Sequence, residues 1–323
     1  MVSGQQTPRA EELDFHSAQS VFSAPGDGSF FAGLPTEPRE LASIVRSLLI
    51  HREETELFGY RLPEDRRNEA ETRYVCDILD AVRAMNDAPL TAVRHPQEQF
   101  AGTCRDFALL LCALLRNSGV PARIRCGFAT YFVPGFHEDH WVTEYWQPGP
   151  GWKLIDAQML APETMEAYKI SFDPTDVPRD RFLVAGDAWQ ACRTGRADRE
   201  SFGVGVINFT GMWAVQGNVV RDLAALNRVE ALPWDGWGLV ETPYEELSGS
   251  ETELLDTVAA ATVRGGPFTE LRRLFRENPG LRTPTSIRSH TTYGGERTVT
   301  LQLAESGRGA RLEGGCARPV GGH

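Results

Sequence analysis

A basic excess, paired cysteines and long apolar runs are all missing from this 323-residue chain. Lys and Arg number 33 against 44 Asp and Glu, a formal net charge of -11, so the electrostatic footprint of a nucleic-acid binder is absent. The six cysteines (Cys76, Cys104, Cys112, Cys126, Cys192 and Cys316) include no CxxC, which argues against a zinc knuckle or a disulfide framework. No stretch approaches the apolar length that spans a bilayer. The opening MVSGQQTPRAEELDFHSAQS lacks the charged and then apolar regions of a secretory signal. The expectation is a cytoplasmic protein with neither nucleic acid nor membrane as partner, in surroundings that keep a thiol reduced. No internal repeat is present.

Four segments can be read along the chain. Residues 1–38 are rich in Gly, Pro, Ser and Gln and predict a flexible lead-in. Residues 39–175 predict a catalytic core. It opens with helices over ELASIVRSLLIH and EAETRYVCDILDAVRAM, whose apolar residues recur at helical spacing. CRDFALLLCALLRNSG is a third helix with Phe107, Leu110, Leu111, Leu114 and Leu115 as its buried stripe and Gly119 as its cap. ARIRCGFATYFV, HWVTEYWQ and WKLID read as strands, with PGFHED as a loop and QPGPG as a tight turn. Residues 176–282 predict a mainly helical extension, with helices over RFLVAGDAWQACRTG, MWAVQGNVVRDLAALNRV, SETELLDTVAAATVRGG and FTELRRLFREN. LPWDGWG is an aromatic loop among them. Residues 283–323, polar and rich in Gly and Arg, predict a disordered tail.

Chemistry concentrates in the centre. Cys104 opens a helix, where free N–H groups and partial positive charge stabilise a thiolate. Gly102 before it allows close approach of a substrate. A lone cysteine at a helix start is more often an ordinary small buried residue. The strand pair alters the balance. With a turn centred near Pro148, His140 is expected opposite Asp156, and equal parity sends both side chains to one face. A carboxylate on one ring nitrogen fixes the imidazole tautomer and leaves the other nitrogen for a thiol proton. A one-residue slip would break this pairing. The rivals His137 and Asp139 are expected in the preceding loop, where positioning is poorer.

GTCRDFALLLCALLRNSGVPARIRCGF, then DHWVTEYW, then GWKLIDAQ, resembles the transglutaminase-like superfamily over about residues 95–160. The shared parts are a cysteine opening a helix, a Gly119-Val120-Pro121-Ala122-Arg123 turn into a strand, a histidine next to an aromatic, and Trp152-x-x-x-Asp156. The resemblance implies an α+β, papain-like core in which one helix packs on an antiparallel sheet, with further helices outside it. It also implies Cys104 as nucleophile, His140 as base and acid, and Asp156 as orienter. One departure stands out: many members carry His-Ala-Trp where this chain has His140-Trp141-Val142, which puts the wall contacts of the cleft in doubt.

Residues 182–238 look like an extension found on standalone bacterial members of the group. Its aromatics, with Trp141 of the core, supply substrate-cleft candidates in Trp141, Trp189, Trp213 and Trp234; core packing is the blander reading of each. Arg193, Arg221, Asp222 and Trp237 of the same extension could also line the cleft, with core packing or a solvated charge as the blander reading. Gln97 and Gln99, shortly before Cys104, are oxyanion candidates, with a surface position as their blander reading.

The expected chemistry is cysteine-dependent acyl transfer on an amide or (thio)ester through a thioester. A peptide or small-molecule acyl donor is the partner, and water or an amine is the acceptor. No metal or organic cofactor is expected. Two alternatives are a non-catalytic binding or regulatory protein on the same scaffold and a metal site from Cys104, Cys126, His137 and His140. The latter lacks structural-zinc spacing.

Overall fold

A computed structural model describes residues 10–263 and 267–303. In chain order the elements are α1 (Ala10–Ser17), α2 (Pro38–Leu48), β1 (Leu49–His51), α3 (Val75–Met85), β2 (Phe100–Gly102), α4 (Cys104–Asn117), β3 (Ala122–Ala129), β4 (His137–Gln147), β5 (Gly151–Ile155) and α5 (Pro162–Ala167). Then come β6 (Phe182–Val184), α6 (Ala185–Arg193), β7 (Phe202–Val204), β8 (Phe209–Thr210), α7 (Met212–Leu226), β9 (Asp235–Gly236), α8 (Gly249–Val263), α9 (Phe268–Glu277), β10 (Ser286–Thr291) and β11 (Gly295–Thr300). The class is α+β. Among the described residues no helix is long and apolar enough to cross a membrane.

Helix α4 is the centre of the molecule. Every residue from Arg105 to Arg116 is buried, so the helix is enclosed all round rather than along one stripe. It packs on β3 and β4, with α1, α2 and α3 around it. Gly119 has φ 81°, and the N–H of Val120 returns to the Leu115 carbonyl, so the chain leaves the helix through a left-handed cap. The main sheet runs β6-β3-β4-β7-β8, and β5 also pairs with β4. Its pairs are antiparallel except β4 with β7.

Several sequence expectations change. The helix predicted through His51 stops at Leu48, and Leu49–His51 pairs with Phe100–Gly102 as a parallel ribbon, a long-range contact no local pattern carries. Residues 182–184 form a strand on β3 rather than a helix start. The extension therefore adds β6, β7 and β8 to the core sheet itself. His137–Asp139 belong to β4, not to a loop. The expected lead-in contains α1 and the buried Phe22 and Phe31. The expected disordered tail begins with the hairpin β10–β11, which pairs onto β9 and buries Ile287 and Leu301. Burying alternate residues of an otherwise polar segment needs only a few apolar side chains, so composition concealed it. The expectations on residues 1–9, on 264–266 at the end of the SETELLDTVAAATVRGG helix, and on 304–323 lie outside the described residues.

Strand β3 pairs with β6 only over Gly127–Ala129. Above that, the N–H of Cys126 donates to Asp222 Oδ1 of α7 (3.0 Å). The same carboxylate receives Arg125 through two bonds of 2.9 and 2.8 Å. Arg125 also meets Glu144 at 3.1 Å, and Glu144 takes Arg123 at 2.7 Å. Burial opposes the Arg125 charge, but the Asp222 and Glu144 carboxylates outweigh it and hold the guanidinium above its usual range. A planar fork of donors suits this bidentate pairing. Removing one partner of a buried pair leaves an uncompensated charge. Asp222→Ala is therefore expected to lower the unfolding free energy by about 3–5 kcal/mol, read from urea denaturation. A loss under about 1 kcal/mol would show that this pair does not tie α7 to the sheet.

Candidate active site

Strand β4 is paired with β3 from Glu138 to Tyr145, but its other edge is covered only at the ends. There β7 takes His137 and Glu138, and β5 takes Thr143 to Gln147. Residues 139–142 face an open interval, and the half-buried thiol of Cys104 meets it. The sulfur lies against the His140 side chain and the backbone N–H of Trp141, both of which favour its thiolate form. Cys104 is the first residue of α4. Asp106, at N3, accepts the Thr103 N–H (2.8 Å), which secures the turn into the helix. A Cβ on Gly102 would lie 2.9 Å from Asp106 Oδ2, so this approach needs glycine.

The imidazole and the carboxylate meet by a route slightly different from the one expected. The β4–β5 register sets Thr143 against Ile155 and Gln147 against Gly151. The turn is thus centred at Gly149, and the ladder places Val142, not His140, at the level of Asp156. A two-residue offset preserves parity, so both side chains still leave the same face. Asp156 lies just past the end of β5, where its N–H donates to the Pro174 carbonyl (2.8 Å), and its carboxylate reaches diagonally to His140. His140 Nε2 and Asp156 Oδ2 are 2.8 Å apart. That leaves Nδ1 as the ring nitrogen for the thiol.

Two partners of Asp156 were not legible in the sequence. Tyr131 donates its hydroxyl to Oδ2 (2.6 Å), and the Gln158 N–H donates to Oδ1 (3.0 Å). Tyr131 stands two residues beyond β3, in a segment whose spacing to Asp156 follows no local period. Rings of Phe132 and Tyr131 stand edgewise to the imidazole at 4.9 and 5.9 Å between centroids. Next to this wall, Glu54 accepts from Gln158 (2.8 Å) and Tyr168 (2.9 Å), and burial raises its pKa.

Burial works against the His140 cation, yet the Asp156 carboxylate prevails and the pKa is raised to about 10. Burial pushes the Cys104 thiol up, with His140 pulling the other way. Cys112 is pushed up to about 12 and Cys126 well above the ordinary thiol range by burial, and neither has an imidazole in contact. Cys104 is thus distinguished by its histidine, not by charge alone.

The remaining candidates scatter. Gln99 is buried, but its amide donates to the Arg46 and Ser47 carbonyls (3.4 and 3.0 Å), so both hydrogens are engaged away from the thiol. Gln97 is exposed, and its carbonyl accepts from Arg66. Trp141 and Trp189 are fully buried in the core, and Trp189 donates to Asp256 (2.7 Å). Trp213 is 37% exposed and donates to the Val240 carbonyl. Trp234 donates to Glu71 (3.1 Å) beneath the Arg52 guanidinium, 4.7 Å from its ring. His137 stacks on Phe202 at 4.0 Å and donates to the Ser201 carbonyl, while Asp139 receives Asn218 (3.0 Å). Among the described residues no three His, Cys, Asp or Glu side chains gather to hold a metal ion, so the four residues of the metal alternative do not converge.

Residues 66–157 match the Transglutaminase-like superfamily core. A protein-glutamine gamma-glutamyltransferase of Pseudomonas aeruginosa is 32% identical over 75 residues, which is 20% of this chain and 11% of that protein. Among solved structures, red sea bream transglutaminase is similar at 19% identity and a TM-score of 0.30, covering 44% of this chain and 24% of its own. A Cytophaga hutchinsonii protein provisionally named a cysteine protease is also 19% identical, with a TM-score of 0.21 and coverage of 49% and 47%. The chain thus spans about a tenth of the curated relative it matches.

The coupled thiol and imidazole have a pH dependence that can be signed. Asp156 is a negative charge that strengthens proton binding at the pair. Asp156→Asn is expected to move the inflection of Cys104 alkylation against pH to lower pH. An inflection that stays or rises in the variant would show that the carboxylate does not act on the pair.

Proposed function

We propose that this chain, whose residues 66–157 form a transglutaminase-like core, is a cysteine-dependent acyltransferase or amide hydrolase. The observation that carries the reading is the Cys104 sulfur set beside the His140 ring, whose Nε2 is held by Asp156 at 2.8 Å. In the first step His140 takes the thiol proton and the sulfur adds to the carbonyl carbon of an amide or (thio)ester. The tetrahedral adduct collapses, and His140 returns the proton to the leaving amine, alcohol or thiol. A thioester on Cys104 remains. In the second step water or a primary amine, deprotonated by His140, attacks that thioester and regenerates the thiol.

Asp156 holds the ring with Nε2 toward itself and supports the cation that forms twice in this cycle. Tyr131 and the Gln158 N–H in turn hold Asp156, so the carboxylate cannot rotate away from the histidine. The aromatic wall formed by Phe132 and Tyr131 limits water around the ring, which strengthens both contacts. These residues need no metal for the thiol chemistry described.

The test is a general acyl donor, p-nitrophenyl acetate, followed by mass spectrometry of the intact protein. Wild type is expected to gain one acetyl group on Cys104, and Cys104→Ala to lose turnover by at least about 10^4-fold. Iodoacetamide near neutral pH should modify Cys104 before Cys112 and Cys126. Equal labelling of the three, or an acetyl group found elsewhere, would remove Cys104 as the nucleophile.

A further inference from the structure

The geometry points to His51 as a second catalytic histidine, whose Nε2–H, together with the backbone N–H of Cys104, holds the oxygen of the acyl group under attack. This rests on the reading of Cys104 as nucleophile. Gln97 and Gln99 do not fill the role, as described above, and the tetrahedral adduct needs donors aimed at its developing charge.

The placement comes from the parallel ribbon. His51 is the register partner of Gly102, the residue two before the thiol. The N–H of Arg52 donates to the Gly102 carbonyl (2.9 Å), which continues the ladder past His51 and fixes the strand against the approach to Cys104. Paired residues in a ribbon project to the same face. His51 shares its face with Leu49, which is buried in the core around α4, and Arg52 turns the other way onto Trp234. The ring therefore lies on the α4 side, within electrostatic reach of both His140 and Asp156.

Its tautomer is set locally. The Glu53 N–H donates to His51 Nδ1 (3.4 Å), so Nδ1 is the acceptor and the proton sits on Nε2. Among the described residues Nε2 has no hydrogen-bond partner, and the side chain is only partly buried, so this N–H is available to a ligand. No carboxylate pairs with the ring, in contrast to His140. Burial first, and then the nearby Arg52, His140 and Arg46 cations, lower the His51 pKa to about 3. The ring is thus a neutral donor throughout the working range. It can polarise a carbonyl without competing with His140 for the thiol proton. The second donor is already free: the Cys104 N–H starts α4 and has no acceptor among the described residues.

Two near-isosteric variants separate a donor from a packing role. His51→Asn keeps an acceptor near the Nδ1 position for the Glu53 N–H but removes the donor at Nε2. His51→Gln places an amide N–H near the Nε2 position. Acetylation of Cys104 by p-nitrophenyl acetate is expected to slow by about 10^2- to 10^3-fold in His51→Asn. His51→Gln should recover at least about tenfold of that loss. Alkylation by iodoacetamide, a displacement at a saturated carbon that builds no oxyanion, should stay within about twofold of wild type in both. Acetylation of His51→Asn within about threefold of wild type would overturn the inference. So would a fall in alkylation equal to the fall in acetylation, since His51 would then act on the thiol or on the fold. Wild-type protein that never acetylates at Cys104 would remove the nucleophile reading itself, and this inference with it.

Discussion

Everything at the site depends on an edge of sheet left open in mid-strand. A buried strand edge must have its N–H and C=O groups satisfied. Over residues 139–142 of β4 no strand among the described residues provides that on the outer side, because β5 ends at Ile155 and β7 begins its pairing at Glu138 and His137. The Cys104 sulfur at the start of α4 lies at the Trp141 N–H instead. A thiol is a weak acceptor, so the arrangement suits a sulfur that gains negative charge. The same gap leaves space beside the thiol for a substrate that a continuous sheet would exclude.

Strand β3 shows the matching device on its own outer edge. Beyond the reach of β6, Asp222 of α7 accepts the Cys126 N–H and pairs with Arg125. Both exposed edges of the central strand pair are thus closed by helices, one through a cysteine and one through a carboxylate. The buried ions extend the principle. At the start of α4, Arg105 pairs with Asp106 and donates to the Arg73 and Glu230 carbonyls. At its other end Arg116 pairs with Glu230 (3.1 Å). Arg73 continues to Asp235 and Ser289, which brings the C-terminal hairpin into the network. Charges this deep cost desolvation energy and are tolerated only with close partners, so they specify one placement of α4 rather than add much stability.

His51 and His140 illustrate how surroundings assign different work to the same side chain. His140 has a carboxylate at 2.8 Å and is driven toward its cation. His51 is lowered by burial and by the cations around it, which outweigh the more distant Asp156 carboxylate, and with a backbone N–H on Nδ1 it stays neutral. Divergent protonation of neighbouring groups is what separates a base from a donor in a single site.

The sequence alone was enough to single out Cys104, His140 and Asp156 as candidates that the fold brings together, because each depends on a short-range feature. The start of an amphipathic helix and the parity of adjoining strands are both written locally. Parity even survived a misplaced turn centre, since a two-residue error returns every side chain to its face. Helices α4, α7, α8 and α9 were legible for the same reason. What only the tertiary structure decided were the contacts between distant segments: the β1–β2 ribbon, the hydroxyl of Tyr131 on Asp156, the hairpin at residues 286–300, and the engagement of Gln99 with α2. Periodicity reports which face of an element is buried. It carries no information about which distant backbone group lies against that face, and donors and acceptors find their partners only once the chain has closed on itself.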